Sequence, residues 1–192
     1  RFYHDIVYDG VKVVAGTITN PVDEAWRYAN LHTGGNYVND PRRVSRTGYL
    51  NYKFIPLGAN KWDATYGYSY ATHFHLTWMR LADVYLMYAE AVAQANGSAD
   101  ARASTFSKSA ADAVNTIRER AGVAPLPSKY TSSLSLFMDE LIRERAVELA
   151  FEGHRFNDLR RWLLLTEYPY NIKTRQDFDR AEALDPKKDP KE

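Results

Sequence analysis

The chain has 192 residues, of which 45% are hydrophobic and 26% charged, the balance of an ordinary globular protein. Its 25 basic and 24 acidic residues give a net charge of +1, so charge offers no basis for binding nucleic acid or an anionic membrane. Cysteine is absent, which excludes disulfides and thiolate metal sites within this sequence.

Residues 1–75 carry short strand patterns separated by turn residues and show little helical periodicity. The segments 6–8 and 11–14 flank Asp9-Gly10, a pair that favours a tight hairpin turn. Residues 49–55 alternate well enough for a further strand. We therefore predict a loop-rich region with a few short strands, beginning with a hairpin around Asp9-Gly10.

Several aromatic residues lie in this loop-rich region, where they are candidates for contact with sugars. Sugar rings have apolar faces edged by hydroxyl groups, so an exposed aromatic ring beside amide or acid groups suits them. Trp62 is the leading predicted contact and Tyr66 the next. The full set of predicted glycan-binding residues is Trp26, Tyr37, Asn60, Trp62, Asp63, Tyr66, Tyr68 and Tyr70. For any single ring, anchoring a loop on the core is an equally good interpretation.

A helix is predicted from about residue 77 to residue 96, with Gly97 as its end. The spacing Trp78-x-x-Leu81-Ala82-x-x-Tyr85 follows the tetratricopeptide pattern and places Trp78 and Tyr85 on the apolar stripe. A second helix is predicted near residues 107–121. We expect the two helices to form a tetratricopeptide-like hairpin with Trp78 and Tyr85 in its core.

The region 134–165 predicts a second helical hairpin. Its first helix carries an apolar stripe and runs to Gly153, where glycine permits a left-handed turn. A short helix follows, with one apolar face that consists of Phe156, Leu159, Trp162 and Leu163.

Charged residues in this second hairpin predict an ion network. Glu144, Glu148 and Glu152 lie four residues apart on one helical face, where like charges repel. Arg145 can pair with Glu148 within the helix, and the next helix offers further cations for the column. The predicted structural network consists of Arg143, Glu144, Arg145, Glu148, Glu152, Arg155, Asp158 and Arg161.

The pair Glu148 and Glu152 also has the approximate spacing of the carboxylates in a retaining glycosidase. Both side chains, however, would project from one helix toward the same arginines, whereas catalytic carboxylates flank a sugar in a cleft. We therefore favour ion pairing over catalysis. His73 and His75 have no obvious third ligand, so we predict neither a metal nor a cofactor.

Three segments, residues 79–91, 114–123 and 143–162, resemble recurrent motifs of the SusD/RagB family in the order that the family has them. The most specific is RERAVELAFEGHRFNDLRRW at 143–162, and MRLADVYLMYAEA and VNTIRERAGV are the others. The resemblance implies the C-terminal portion of a longer protein. Within residues 1–192 we expect a loop-rich part at 1–75, helical hairpins at 76–165 and an irregular tail at 166–192.

The family resemblance further implies what the protein does. It implies non-catalytic glycan binding at the outer-membrane surface of Bacteroidetes-type bacteria, for import through a SusC-type TonB-dependent transporter. Membrane attachment would be through a lipidated cysteine upstream of this sequence. We expect a mostly α fold of the α/α superhelix type, with tetratricopeptide-like hairpins, long irregular loops and a few short strands. The alternatives are a tetratricopeptide-type scaffold for protein interactions and a glycan-processing enzyme.

Overall fold

The structure, a computed structural model, describes residues 1–14, 16–39, 45–55 and 76–180. The chain divides into two compact units. The helical unit consists of Arg1 and residues 77–167, and the loop unit consists of residues 2–76 and 168–192. The fold is mostly α, as the sequence predicted.

The elements follow one another along the chain, and their bounds are these. The loop unit contains α1 (Phe2–Asp5), β1 (Ile6–Val7), a 3-10 helix (Pro21–Trp26), α2 (Asn36–Asn39) and β2 (Leu50–Asn51). The helical unit contains α3 (Leu81–Asn96), α4 (Ala110–Arg120), α5 (Ser128–Thr131), α6 (Leu134–Glu148) and α7 (His154–Arg161). No helix among the described residues is long and apolar enough to cross a membrane.

Helices α3 and α4 form the predicted first hairpin. Gly97 has φ +71° and its N–H donates to Ala93, so α3 ends where the sequence predicted. Ser109 caps α4 through a reciprocal pair of hydrogen bonds with Asp112, and these bonds lower the pKa of the Asp112 carboxyl. Small residues allow α3 and α4 to approach closely. The two helices share one hydrophobic core with α6. That core includes Leu86, Ala89, Ala93, Ala110, Ala113, Val114, Phe137 and Leu141.

The start of α3 corrects one prediction. The helix begins at Leu81 rather than near residue 77, and the Trp78 side chain is 95% exposed instead of lying in the core. Tyr85 is partly buried and packs against the core. The periodic spacing therefore extended past the true N-terminus of the helix, because spacing alone does not indicate where a helix begins.

The second hairpin also departs from its prediction in two places. Helix α6 ends at Glu148, and the turn to α7 includes Phe151 at φ +64°, so Gly153 precedes α7 rather than ending α6. Leu159 is buried, but Phe156 and Leu163 are 63% and 81% exposed. The predicted apolar face of α7 is therefore wrong at Phe156 and Leu163. The buried residues of this short helix are Asp158 and Leu159.

In the loop unit, the predicted hairpin around Asp9-Gly10 is wrong. Strand β1 instead pairs antiparallel with β2, with Ile6 opposite Asn51 and Val7 opposite Leu50. The Gly10 N–H donates to the carbonyl of Ala29 at 2.7 Å, so the chain after β1 pairs with the segment around Ala29 and not with β1. Residues 11–14 consequently lie beside residues 27–29, through the bridge between Lys12 and Tyr28. A small core of Val7, Val11, Ala29 and Leu31 holds these segments together.

Candidate functional site

Four aromatic rings meet at the edge of the short sheet. The β-register that places Val7 opposite Leu50 brings Tyr8 opposite Tyr49, and α1 adds Phe2 and Tyr3. Phe2 packs edge-to-face on Tyr3 and Tyr49, with ring centroids 5.5 and 5.7 Å apart. Tyr8 lies 5.6 Å from Phe2 and 5.4 Å from Tyr3. These contacts fix the rings in a common cluster.

The rings line a cleft of about 650 Å³, which we call the aromatic cleft. This volume is within the range of small-molecule sites, on the order of 300–1,000 Å³. Its lining residues are Phe2, Tyr3, Tyr8, Asp9, Gly48, Tyr49, Gln176 and Phe178. A mostly aromatic surface with a few polar groups is typical of a ligand-binding site.

One polar group of the cleft is held in place on several sides. The Asp9 carboxylate accepts two hydrogen bonds from Arg180, at 2.5 and 2.9 Å, in a bidentate pair. It also accepts the backbone N–H of Leu31 at 2.8 Å, and Arg180 donates further to Asn30. The side chain of Asp9 is therefore fixed before any ligand binds.

The C-terminal segment of the loop unit forms one wall of the aromatic cleft. The Gln176 N–H donates to Thr47, and both the N–H and the hydroxyl of Thr33 donate to the Phe178 carbonyl, at 2.8 and 3.0 Å. Gly48 has φ +83°, and a Cβ atom there would lie 2.6 Å from the Gln176 carbonyl oxygen. The wall therefore requires glycine at position 48.

Two of the predicted glycan contacts lie elsewhere in the loop unit. The rings of Trp26 and Tyr37 pack edge-to-face at 5.3 Å, and the Tyr37 hydroxyl donates to the Trp26 carbonyl. Tyr37 also packs against the small core that contains Val11 and Leu31. These contacts favour the alternative role of anchoring a loop. The remaining predicted contacts, Asn60, Trp62, Asp63, Tyr66, Tyr68 and Tyr70, lie outside the described residues.

The residues that line the aromatic cleft were missed by the sequence prediction. The density of rings in residues 2–8 was a usable signal for part of it. Gln176 and Phe178 gave none, because they belong to a segment that was predicted as an irregular tail. Only the fold brings these distant segments together.

In the helical unit, the carboxylates on α6 and in the turn after it receive cations mainly from outside α6. Arg118 of α4 donates to Glu144 at 2.9 Å and to Glu140 at 3.3 Å, and all three side chains are buried. Arg80, which precedes α3, donates to Glu148 at 2.5 Å and to Glu152 at 2.8 Å. Burial alone would lower the pKa of Arg80, but its bonds to the two glutamates raise it above its ordinary value.

Further contacts differ from the predicted network in their pairing. Arg145 binds Asp83 of α3 at 2.9 Å and Asp158 of α7 at 3.0 Å, rather than Glu148. Arg161 binds Asp158 at 2.9 Å and pairs with Glu90, whose hydrogen bond raises the pKa of Arg161. Other contacts join Arg143 to Glu140, Arg120 to Glu148, Arg1 to Glu144, and Arg155 to the Ile142 carbonyl. The glutamate column thus receives cations from residues outside α7 that were not in the predicted network, namely Arg118, Arg80, Arg120 and Arg1.

This geometry bears on the chemistry of Glu148 and Glu152. Both carboxylates bind the same guanidinium of Arg80, and both are largely buried. Catalytic carboxylates flank a sugar in a cleft, whereas these two accept hydrogen bonds from one arginine. The arrangement is that of an interhelical ion network, which joins α3, α4, α6 and α7.

The observed molecule is thus a mostly helical protein with a ligand-sized aromatic cleft. The sequence model of the SusD family matches residues 1–192, so the chain belongs to the SusD family. It is also similar to the crystal structure of a SusD-like protein from Bacteroides fragilis NCTC 9343, with a TM-score of 0.62 and 26% identity. The match covers 86% of this chain and 28% of that one. No curated protein matches the chain.

Proposed function

We propose that this protein binds glycans at the bacterial cell surface for import and catalyses no covalent step. The observation that carries the proposal is the match of the SusD family model over the whole of residues 1–192. The aromatic cleft supports it, since aromatic rings with fixed polar neighbours suit sugar surfaces. The ion pairing of Glu148 and Glu152 argues against the glycosidase alternative.

The proposal includes a partner and a place in the cell. We expect the protein to be attached to the outer membrane by a lipidated cysteine upstream of this sequence and to act with a SusC-type TonB-dependent transporter. The support is family membership. Isolation of the native protein from outer membranes of its host tests both expectations. A purely cytoplasmic protein in cell fractionation would contradict the import function.

Binding itself is tested by a glycan array probed with the purified protein. We expect selective binding to one class of polysaccharide or oligosaccharide, and no release of shorter sugars. Failure to bind any glycan on a broad array, by a protein with a cooperative thermal transition, would overturn the proposal.

The stretch around Trp62 remains a proposed contact region for the glycan. Asn60, Asp63, Tyr66, Tyr68 and Tyr70 lie in the same short segment, so several polar groups alternate with rings there. A double variant, Trp62→Ala with Tyr66→Ala, should lose affinity for the cognate glycan in calorimetric titration. Unchanged affinity in the folded double variant would place the contacts elsewhere.

A further inference from the structure

We infer that the aromatic cleft of the loop unit binds uncharged sugar residues, an inference that rests on the proposed glycan-binding function. Three properties of the described residues of the cleft favour this class of ligand: the exposure of the rings, the pairing of the Asp9 carboxylate, and the hydrogen-bonding groups of the wall.

The rings are held firmly and yet remain accessible. Phe2, Tyr3 and Tyr49 are 46%, 65% and 37% exposed, although each contacts another ring of the cluster. Aromatic side chains have few rotatable bonds, and mutual packing restricts them further, so binding costs little conformational entropy. A rigid apolar surface of this kind matches the C–H face of a pyranose ring.

The charge of the cleft selects against acidic sugars. Among the described residues that line it, Asp9 is the one with a formal charge, and Arg180 already donates two hydrogen bonds to its carboxylate. The remaining guanidinium nitrogen of Arg180 donates a hydrogen bond to the side-chain oxygen of Asn30 at 3.1 Å. A uronic acid or a sulfated sugar would bring an anion beside Asp9, and the described lining residues include no cation to pair with it. Such an unpaired charge is costly to desolvate.

Hydroxyl groups, in contrast, have suitable partners. The Gln176 side chain offers two donors and an acceptor, and a carboxylate such as Asp9 has more acceptor positions than its three hydrogen bonds occupy. Neutral sugars use such mixed donors and acceptors. The aromatic face and the polar rim together therefore fit a short segment of an uncharged glycan.

A neighbouring hollow of about 370 Å³ differs from the aromatic cleft in the charged residues that line it. It shares Gly48 and Gln176 with the aromatic cleft, but its lining includes Arg46 and Arg175. Arg175 is paired with Asp177 at 2.7 Å. An anionic ligand would therefore find its cation at Arg46, in this hollow and outside the aromatic cleft.

The test is calorimetric titration of the full chain with neutral and acidic oligosaccharides. Maltohexaose, cellohexaose, xylohexaose and mannohexaose are the neutral probes, and hexagalacturonate is the acidic one. We expect binding of at least one neutral probe and none of hexagalacturonate. Tyr49→Ala and Tyr3→Ala should each lower that affinity by about tenfold, since central aromatic contacts dominate such interfaces. Trp78→Ala, which removes an exposed ring of the helical unit, should leave it unchanged.

The outcomes separate this inference from the proposed function. Binding of hexagalacturonate alone would overturn the inference and leave glycan binding intact. Binding of a neutral probe that Trp62→Ala abolishes, while Tyr49→Ala and Tyr3→Ala retain it, would also overturn the inference. If Tyr49→Ala does not fold, the more exposed Tyr3→Ala decides the result. Binding of no carbohydrate by the folded wild-type protein would overturn both proposals.

Discussion

Replacement of Arg145 by methionine should destabilise the protein severely. Arg145 is 4% exposed and joins three helices, because it lies on α6 and binds Asp83 of α3 and Asp158 of α7. Methionine preserves much of the side-chain length but removes both charge-assisted hydrogen bonds. Asp83, which is 4% exposed, then loses the arginine that neutralises it, whereas Asp158 keeps Arg161.

The magnitude follows from the burial of these groups. Breaking a buried ion pair by removing one partner costs about 3–5 kcal/mol, because a charge is left in a poorly solvated place. For a protein of 150–250 residues, each kcal/mol lowers the melting temperature by about 2–4 °C. We therefore expect thermal unfolding, followed by circular dichroism, to show a decrease of roughly 6–20 °C.

The matched control is Arg120→Met. Arg120 also binds a buried glutamate of α6, but its side chain is 61% exposed, and Glu148 keeps Arg80 at 2.5 Å. The expected cost is about 1 kcal/mol or less. A second variant, Arg145→Met with Asp83→Asn, should recover part of the lost stability, since an amide is less costly to bury than a carboxylate. Equal melting temperatures for Arg145→Met and Arg120→Met would contradict the larger contribution assigned to the buried pair of Arg145 and Asp83.

Three further predictions concern other parts of the molecule. Gly48→Ala should lower the free energy of unfolding in urea more than Gly34→Ala does. Both glycines have φ above +80°, but only Gly48 lies against the Gln176 carbonyl. Equal decreases in the free energy of unfolding would contradict this close approach. Asp112→Asn should cost about 0.3–1 kcal/mol at neutral pH. Hydrogen bonds with Ser109 lower the pKa of Asp112 in the folded protein. The difference in stability between the two proteins should therefore persist above about pH 4 and disappear as the pH falls through the folded pKa. A difference in stability that does not change with pH would contradict this prediction. Affinity purification from the native host should recover a TonB-dependent transporter, and its absence from crosslinked outer membranes would argue against the partnership.

The helices could be predicted from local sequence because their signals are local. Apolar spacing placed α3, α4 and α6, and Gly97 marked the end of α3 correctly. The column of Glu144, Glu148 and Glu152 predicted a need for cations, and Arg118 and Arg80 bind these carboxylates. Their source could not be predicted from spacing, since Arg80 and Glu148 lie 68 residues apart in the sequence.

The loop unit was harder to predict because its pairings are non-local. Asp9-Gly10 carries a strong turn signal, yet β1 pairs with Leu50–Asn51 instead of the segment that follows the turn. A strand of two residues has too little sequence to specify its partner. The aromatic cleft combines residues near 2–9, 48–49 and 176–178, so no single stretch of sequence contained it.

The proposed function is glycan binding without covalent change to the glycan. The most direct test is calorimetric titration with the best ligand from the glycan array, followed by chromatography of the recovered sugar. We expect saturable binding and recovery of the oligosaccharide at its original length. Release of shorter sugars, or the absence of saturable binding by the folded protein, would contradict it.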